Sequence, residues 1–360
     1  MHRIAAFTIA LGPASLQQAR LLRATFKASH PDIPFLLIDG AVYARLTLQP
    51  GAAHAGEIMT MRAVIGRYLS RYVARLIYLD ADILVLAPLL RLVDDSDGKN
   101  EKEPVLLTGD IAESAARSSL PAINAGVLAS SSPRFWWLWT QIIESHLLPL
   151  VGNFFDQFAL RVLAQSKALP CTLLPEPIEG DFYNIAVFNA PGEWHRDGDW
   201  LMKGDSRVRL WHWAGYGVKP GLGALPPPAQ PLALQRIEDG HRLEAATREA
   251  DAALFEALFS EAALVPFFQE RSAELASMGT TLLEGEVPIT FNGFDQKPIR
   301  PPEDLWGTDV PAVWDTLRPV PEGFHRRLLP NAPRYLYARS EERLHEPDVE
   351  RYDKPLWAEG

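Results

Sequence analysis

The stretch LIYLDADILVLAPL, residues 76–89, sets two aspartates inside an apolar run that otherwise reads as a strand buried on both faces. Side chains two apart on a strand share a face, so Asp80 and Asp82 point one way and Ala81 the other. The strand rise separates their backbones by about 6.6 Å. A slight turn there lets both carboxylates reach one hard divalent cation, or lets one hold the ion while the other orients a ribose. Oxygen donors suit Mn²⁺ or Mg²⁺, ions held by one or two carboxylates together with substrate phosphates. The simpler alternative is a pair of carboxylates capping a strand at the surface. Against it, IYL precedes the pair and ILVL follows, so the pair is not part of a solvated turn. A buried unpaired charge costs several kcal/mol, a penalty that a cation removes.

Outward from this stretch the chain alternates strand and helix. IAAFTIA leads into the helical spacing of Leu16, Leu21, Leu22 and Phe26, and then into a second strand, FLLID. The opening MHRIAAFTIALGPAS imitates a short signal peptide, but its removal would delete the first strand of this β-α-β unit. Residues 59–72 read as a helix, followed by residues 76–89 as a strand. PVLLTGD and INAGVLASS are further strands, and FWWLWTQIIESHL is a helix. The expected fold is α/β, Rossmann-like, with a mainly parallel sheet, helices on both faces, and ligands bound beyond the carboxyl ends of the strands. DDSDGKNEKEP (94–104) is polar and aperiodic, an exposed loop. GLGALPPPAQP (221–231) is a stiff break, so the chain divides into residues 1–225 and a helical, loop-rich extension, 226–360. Within the extension, 232–278 read as one or two amphipathic helices and PITFNGF as strand-like.

The 360 residues are 47% hydrophobic and 22% charged, enough for a substantial core, and the formal net charge is −10. With no basic block, electrostatics opposes nucleic-acid binding. No segment reaches the roughly 18 uncharged residues of a membrane helix. Cys171 is the sole cysteine, so no intramolecular disulfide can form, nothing favours an oxidising compartment, and a cytoplasmic location is expected.

YLDAD, INAGV, DQFAL, YNI and HWAGYGVKPG occur in this order between about residues 62 and 221. In this the chain resembles glycosyltransferase family 8, the glycogenin and bacterial lipooligosaccharide galactosyltransferase group, which has the GT-A fold. The resemblance implies a metal-dependent retaining hexosyltransferase. Its donor would be a nucleotide diphosphate sugar such as UDP-glucose or UDP-galactose, and its acceptor a carbohydrate or other hydroxyl. It implies that Asp80, Asp82 and His212 hold Mn²⁺ or Mg²⁺ on the diphosphate, and that Lys219 neutralises the leaving group. Gly215 and Gly217 would allow close backbone approach to the phosphates. Arg62 would face the donor, and Asn124 would contact its sugar. Asp156 and Gln157 would lie beside the anomeric carbon, with Tyr183 and Asn184 on the acceptor side. Residues 1–225 would then be the nucleotide-sugar-binding catalytic domain, and 226–360 an acceptor-binding or homodimer-forming extension.

Residue by residue, blander roles compete: His212 between two tryptophans as a core histidine, Lys219 as a surface lysine, Asp156 as a helix N-terminal acid. The chain also departs from the family. ALGPAS lacks the usual aspartate after the first strand, and Gly221 stands where the lysine motif usually has tryptophan. Two other readings share the α/β frame. A sugar-nucleotide pyrophosphorylase would need a glycine-rich, arginine-containing phosphate loop where ALGPASLQQAR stands. A catalytically inactive nucleotide-sugar-binding protein would not need the intact acidic pair and histidine.

Overall fold

The structure, a computed structural model, describes residues 2–47, 58–94, 104–109, 123–144, 155–166, 169–174, 181–182, 192–213, 221–284, 324–328 and 335–339. The first half of the chain contributes β1 (His2–Ile9), α1 (Gly12–Ser29), β2 (Phe35–Ile38), α2 (Gly40–Thr47), α3 (Ile58–Leu69), β3 (Val73–Leu79), β4 (Ile83–Val85) and α4 (Leu90–Val93). Next come β5 (Val105–Gly109), β6 (Ile123–Ser130), α5 (Pro133–Glu144), α6 (Phe155–Ser166) and β7 (Cys171–Leu174). A small sheet follows, from β8 (Asp181–Phe182), β9 (Trp194–Asp197), β10 (Trp200–Lys203) and β11 (Ser206–Val208), which leads into β12 (Leu210–His212). The described C-terminal elements are α7 (Ala229–Phe259), α8 (Glu261–Glu284) and the antiparallel pair β13 (Phe324–Leu328) and β14 (Tyr335–Arg339).

The central sheet runs β2-β1-β3-β6-β5-β7. All its strands point the same way except β6, which is antiparallel to both β3 and β5. The mainly parallel α/β sheet expected from the sequence is therefore present. Both faces are covered, and the two-residue alternation of the strands sorts their side chains between them. Leu76 and Tyr78 of β3 join Phe7, Trp136 and Trp139 on the face covered by α3, α5 and α6. Ile77 and Leu79 join Ala6, Leu22, Phe26 and Val127 on the face covered by α1. Gly66 of α3 sits where a Cβ would lie 2.0 Å from a ring carbon of Trp136, so only glycine lets α3 and α5 pack this closely.

The long α7 lies on α1 with equal intimacy, since a Cβ on Gly240 would come within 1.8 Å of the Ala24 carbonyl oxygen. At this contact Lys27, fully buried, places Nζ 2.9 Å from Asp251 Oδ2 and donates to the carbonyls of Pro31 and Ile33. α8 adds Leu264, Phe267 and Phe268 to the core beneath α3, and Arg67 forks onto Glu274 at 2.8 and 2.6 Å. Residues 232–278, expected as one or two helices, thus belong to two.

Two boundaries differ from the sequence reading. The helix expected over 59–72 ends at Leu69, and Ser70–Tyr72 form a turn before β3. Residues 76–89 are not one strand. The sheet strand stops at Leu79, the chain turns through 80–82, and β4 leaves to pair with β12. The physical reason is that carboxylates at 80 and 82 cannot continue into an apolar layer, whereas a turn at the strand's end lifts them to its rim. PITFNGF and the loop at 95–103 lie outside the described residues.

Candidate metal centre

The site forms at the carboxyl end of β3, where the topology closes a gap of some 130 positions in the chain. β12 pairs antiparallel with β4 so that His212 stands opposite Ile83, and the Trp213 amide donates to the Asp82 carbonyl at 3.2 Å. This ladder brings His212 beside the acidic pair. His212 Nε2 lies 3.3 Å from Asp82 Oδ1 and 3.6 Å from Asp80 Oδ2, and one ligand atom from each of the three residues falls within 4.8 Å of the others. His212 and Asp82 are buried, and Asp80 is half-buried.

β6 supplies the floor. The Asp80 amide donates to the Gly126 carbonyl at 2.7 Å, and Asn124 Oδ1 accepts the Gly126 amide at 2.8 Å. A Cβ on Gly126 would lie 2.5 Å from Asp80 Oδ2, 2.5 Å from His212 Cε1 and 2.8 Å from Asn124 Oδ1. The absence of a side chain at this position therefore keeps a cradle open beside two of the three candidate ligands, Asp80 and His212, and beside Asn124. Two carboxylates and an imidazole around such a cradle fit a hard divalent ion of the Mn²⁺ or Mg²⁺ type.

Behind the cradle lies a second layer of charge. Arg62 of α3, only 6% exposed, places Nη1 3.5 Å from Asp80 Oδ1 and Nη2 3.3 Å from Asp156 Oδ2, and it donates to the Ala125 carbonyl at 3.2 Å. Burial works against the guanidinium's charge, but Tyr78, Asp156, Asp80 and Asp82 outweigh it and raise its pKa above the ordinary value. Asp156 stands in the first turn of α6, where a helix N-terminus favours a carboxylate. Its burial pushes the carboxyl's pKa up, and Arg62 opposes that shift. The Trp139 indole N–H fixes this turn by donating to the Asp156 carbonyl at 3.1 Å. Tyr78 completes the layer by donating its hydroxyl to Asp80 Oδ1 at 2.6 Å. Arg62 offsets one of the three carboxylates, and the two charges that remain match those of a divalent cation.

The structure thus gathers Asp80, Asp82, His212, Arg62, Asn124 and Asp156. Gln157 follows Asp156 on α6 and is half-buried. Arg62, expected to face a donor, is buried with its guanidinium on the carboxylates of Asp80 and Asp156. Gly215, Gly217, Lys219, Tyr183 and Asn184 lie outside the described residues. Sequence reasoning gave no role to Tyr78 or Gly126. Tyr78 could have been found as the position two before Asp80 on a strand, hence on its face. Gly126 lies inside the quoted INAGV, but its contact with a histidine 86 positions onward follows from no local pattern.

No protein-family profile matches the chain, and no curated protein sequence does. Solved structures do match it. The galactosyltransferase LgtC, in complex with donor and acceptor sugar analogs, is 18% identical, with 66% of this chain and 95% of that chain covered at a TM-score of 0.42. A glycosyltransferase involved in glycosylation of the major capsid of PBCV-1 is 12% identical, covering 68% of this chain and 99% of that one at a TM-score of 0.37. The glycosyltransferase GlyE of Streptococcus pneumoniae TIGR4 is 13% identical over 48% of this chain and 45% of its own, at a TM-score of 0.30. At these identities and scores the likenesses assign no residue of this chain a role.

Proposed function

We propose that this chain is a metal-dependent, retaining glycosyltransferase. It would move a hexose from a nucleotide diphosphate sugar, UDP-glucose or UDP-galactose, to a hydroxyl acceptor such as a bacterial surface glycan. The observation that carries the reading is the convergence of Asp80, Asp82 and His212 at the carboxyl end of a central strand, around a cradle kept open at Gly126. This is where α/β sheets bind their ligands. A bound divalent ion would supply charge neutralisation for the leaving diphosphate. Among the chain's own groups, Lys219 adds a positive charge to the same oxygens, and Gly215 lets backbone approach the phosphates. Asn124 meets the donor sugar. Asp156, held in place by Arg62, and Gln157 stabilise positive charge growing at the anomeric carbon. Residues 226–360 serve the acceptor or a homodimer contact. The lone Cys171 accords with a cytoplasmic protein. Among the described residues no helix is long and apolar enough to cross a membrane.

The test needs no acceptor. Nucleotide sugars are screened with Mn²⁺ for slow donor hydrolysis, before and after chelation, alongside Asp82→Ala. We expect hydrolysis of one donor, abolished by chelation and lowered at least about 10²- to 10³-fold by the substitution, the usual cost of one preorganised electrostatic contact. Full activity in chelated protein or in Asp82→Ala refutes the metal assignment. Donor binding without turnover of any kind refutes catalysis.

A further inference from the structure

Asp80 presents its two oxygens unequally. Oδ1 accepts the Tyr78 hydroxyl at 2.6 Å and lies 3.5 Å from Arg62 Nη1. Oδ2 faces the cradle, 3.6 Å from His212 Nε2 and within 2.5 Å of the place a Gly126 Cβ would take. Tyr78 is held firmly. It is 2% exposed, its ring centroid lies 5.1 Å from that of Phe7, and the Arg62 guanidinium stands 5.2 Å above it. Because it precedes Asp80 by two positions at the end of β3, its hydroxyl reaches the carboxylate with no flexible segment between them. A carboxylate with one oxygen tied to a buried O–H and a guanidinium has one oxygen left to give.

We propose that Tyr78 is a positioning residue that restricts Asp80 to one ligand oxygen, Oδ2, and thereby sets which cation the site selects. Calcium takes six to eight oxygens and often both oxygens of a carboxylate, whereas magnesium and manganese prefer six donors in octahedral array. A site that withholds Asp80 Oδ1 favours the smaller ions. This inference rests on the reading of Asp80, Asp82 and His212 as cation ligands, and goes beyond it in naming what tunes them.

The test is calorimetric titration of the full chain and of Tyr78→Phe with Mn²⁺, Mg²⁺ and Ca²⁺ in turn, without any donor. The substitution removes one oxygen and keeps the ring that packs on Phe7 and Arg62. The wild type is expected to bind Mn²⁺ more tightly than Ca²⁺. In Tyr78→Phe, Mn²⁺ affinity should fall about 10-fold or more, as when other outer partners of metal ligands are removed. Ca²⁺ affinity should fall less, because the released Oδ1 becomes a second ligand, so the preference for Mn²⁺ shrinks. A purely structural role for the hydroxyl would weaken all three ions alike, and an unchanged Mn²⁺-to-Ca²⁺ ratio overturns the proposal while leaving the metal site standing. Wild-type protein that binds none of the three ions overturns the metal reading and this inference together. If Tyr78→Phe does not fold, the wild type decides alone, since Ca²⁺ displacing Mn²⁺ at equal affinity overturns the proposal.

Discussion

The cradle at Gly126 makes the sharpest prediction. Gly126→Ala adds one methyl group at a strand position with no positive φ, so the backbone accepts alanine without strain. The new Cβ would start 2.5 Å from both Asp80 Oδ2 and His212 Cε1, while ordinary van der Waals contact begins at 3.4 Å, so each of the two separations must open by about 0.9 Å. Neither is free to do so. Asp80 is tied by Tyr78 and Arg62, and His212 is set by the β4–β12 ladder and only 2% exposed. Functional geometry tolerates only about 0.5 Å, and a misplacement near 1 Å costs on the order of 10²-fold. We therefore expect Mn²⁺ affinity in Gly126→Ala to fall by about 10²-fold, with global stability lowered by only about 1–3 kcal/mol, the usual range for one excess methyl. Mn²⁺ binding followed by electron paramagnetic resonance, with urea denaturation in parallel, reads the two effects separately. Mn²⁺ affinity within twofold of wild type would refute the reasoning, because the cradle would then not be the ion's place.

Two further predictions concern stability. His30 is buried against Phe26, and its Nε2 accepts the Leu89 amide at 2.9 Å, which requires the neutral ring; burial lowers its pKa from 6.5 to about 4. The unfolded chain therefore takes up this proton first as pH falls, so the contribution is present above about pH 6.5 and is lost on the way down to about pH 4. Urea unfolding should show about 2 kcal/mol of acid sensitivity between pH 7 and 5 that His30→Gln removes; an equal slope in both proteins contradicts this. Asp251→Asn strands the buried Lys27 ammonium, and chemical denaturation should register a loss of about 3 kcal/mol. A change below about 0.5 kcal/mol, the range of ordinary surface substitutions, would show that the two backbone carbonyls suffice for Lys27.

Strand and helix periods were legible because they depend on near neighbours in the chain. Leu76 to Leu79 could be read as fully buried, and Asp80 with Asp82 as anomalous, since burial of a carboxylate has a cost that composition alone reveals. The end of β3 at Leu79 was not legible, because ILVL continues the apolar run and only its departure to a different partner strand separates it. Reading a single strand through residues 76–89 placed the two acids on a sheet face, when they stand on a turn beyond it.

By itself, then, the sequence determined the residue types capable of holding a cation and the α/β frame that carries them, because both follow from local chemistry and local period. The tertiary structure alone decided how His212 reaches the acidic pair, through the β4–β12 ladder, that Arg62 bridges Asp80 to Asp156, and that Gly126 must lack a side chain. These are contacts between residues tens of positions apart, set by strand register and close packing, and no local pattern encodes such distances.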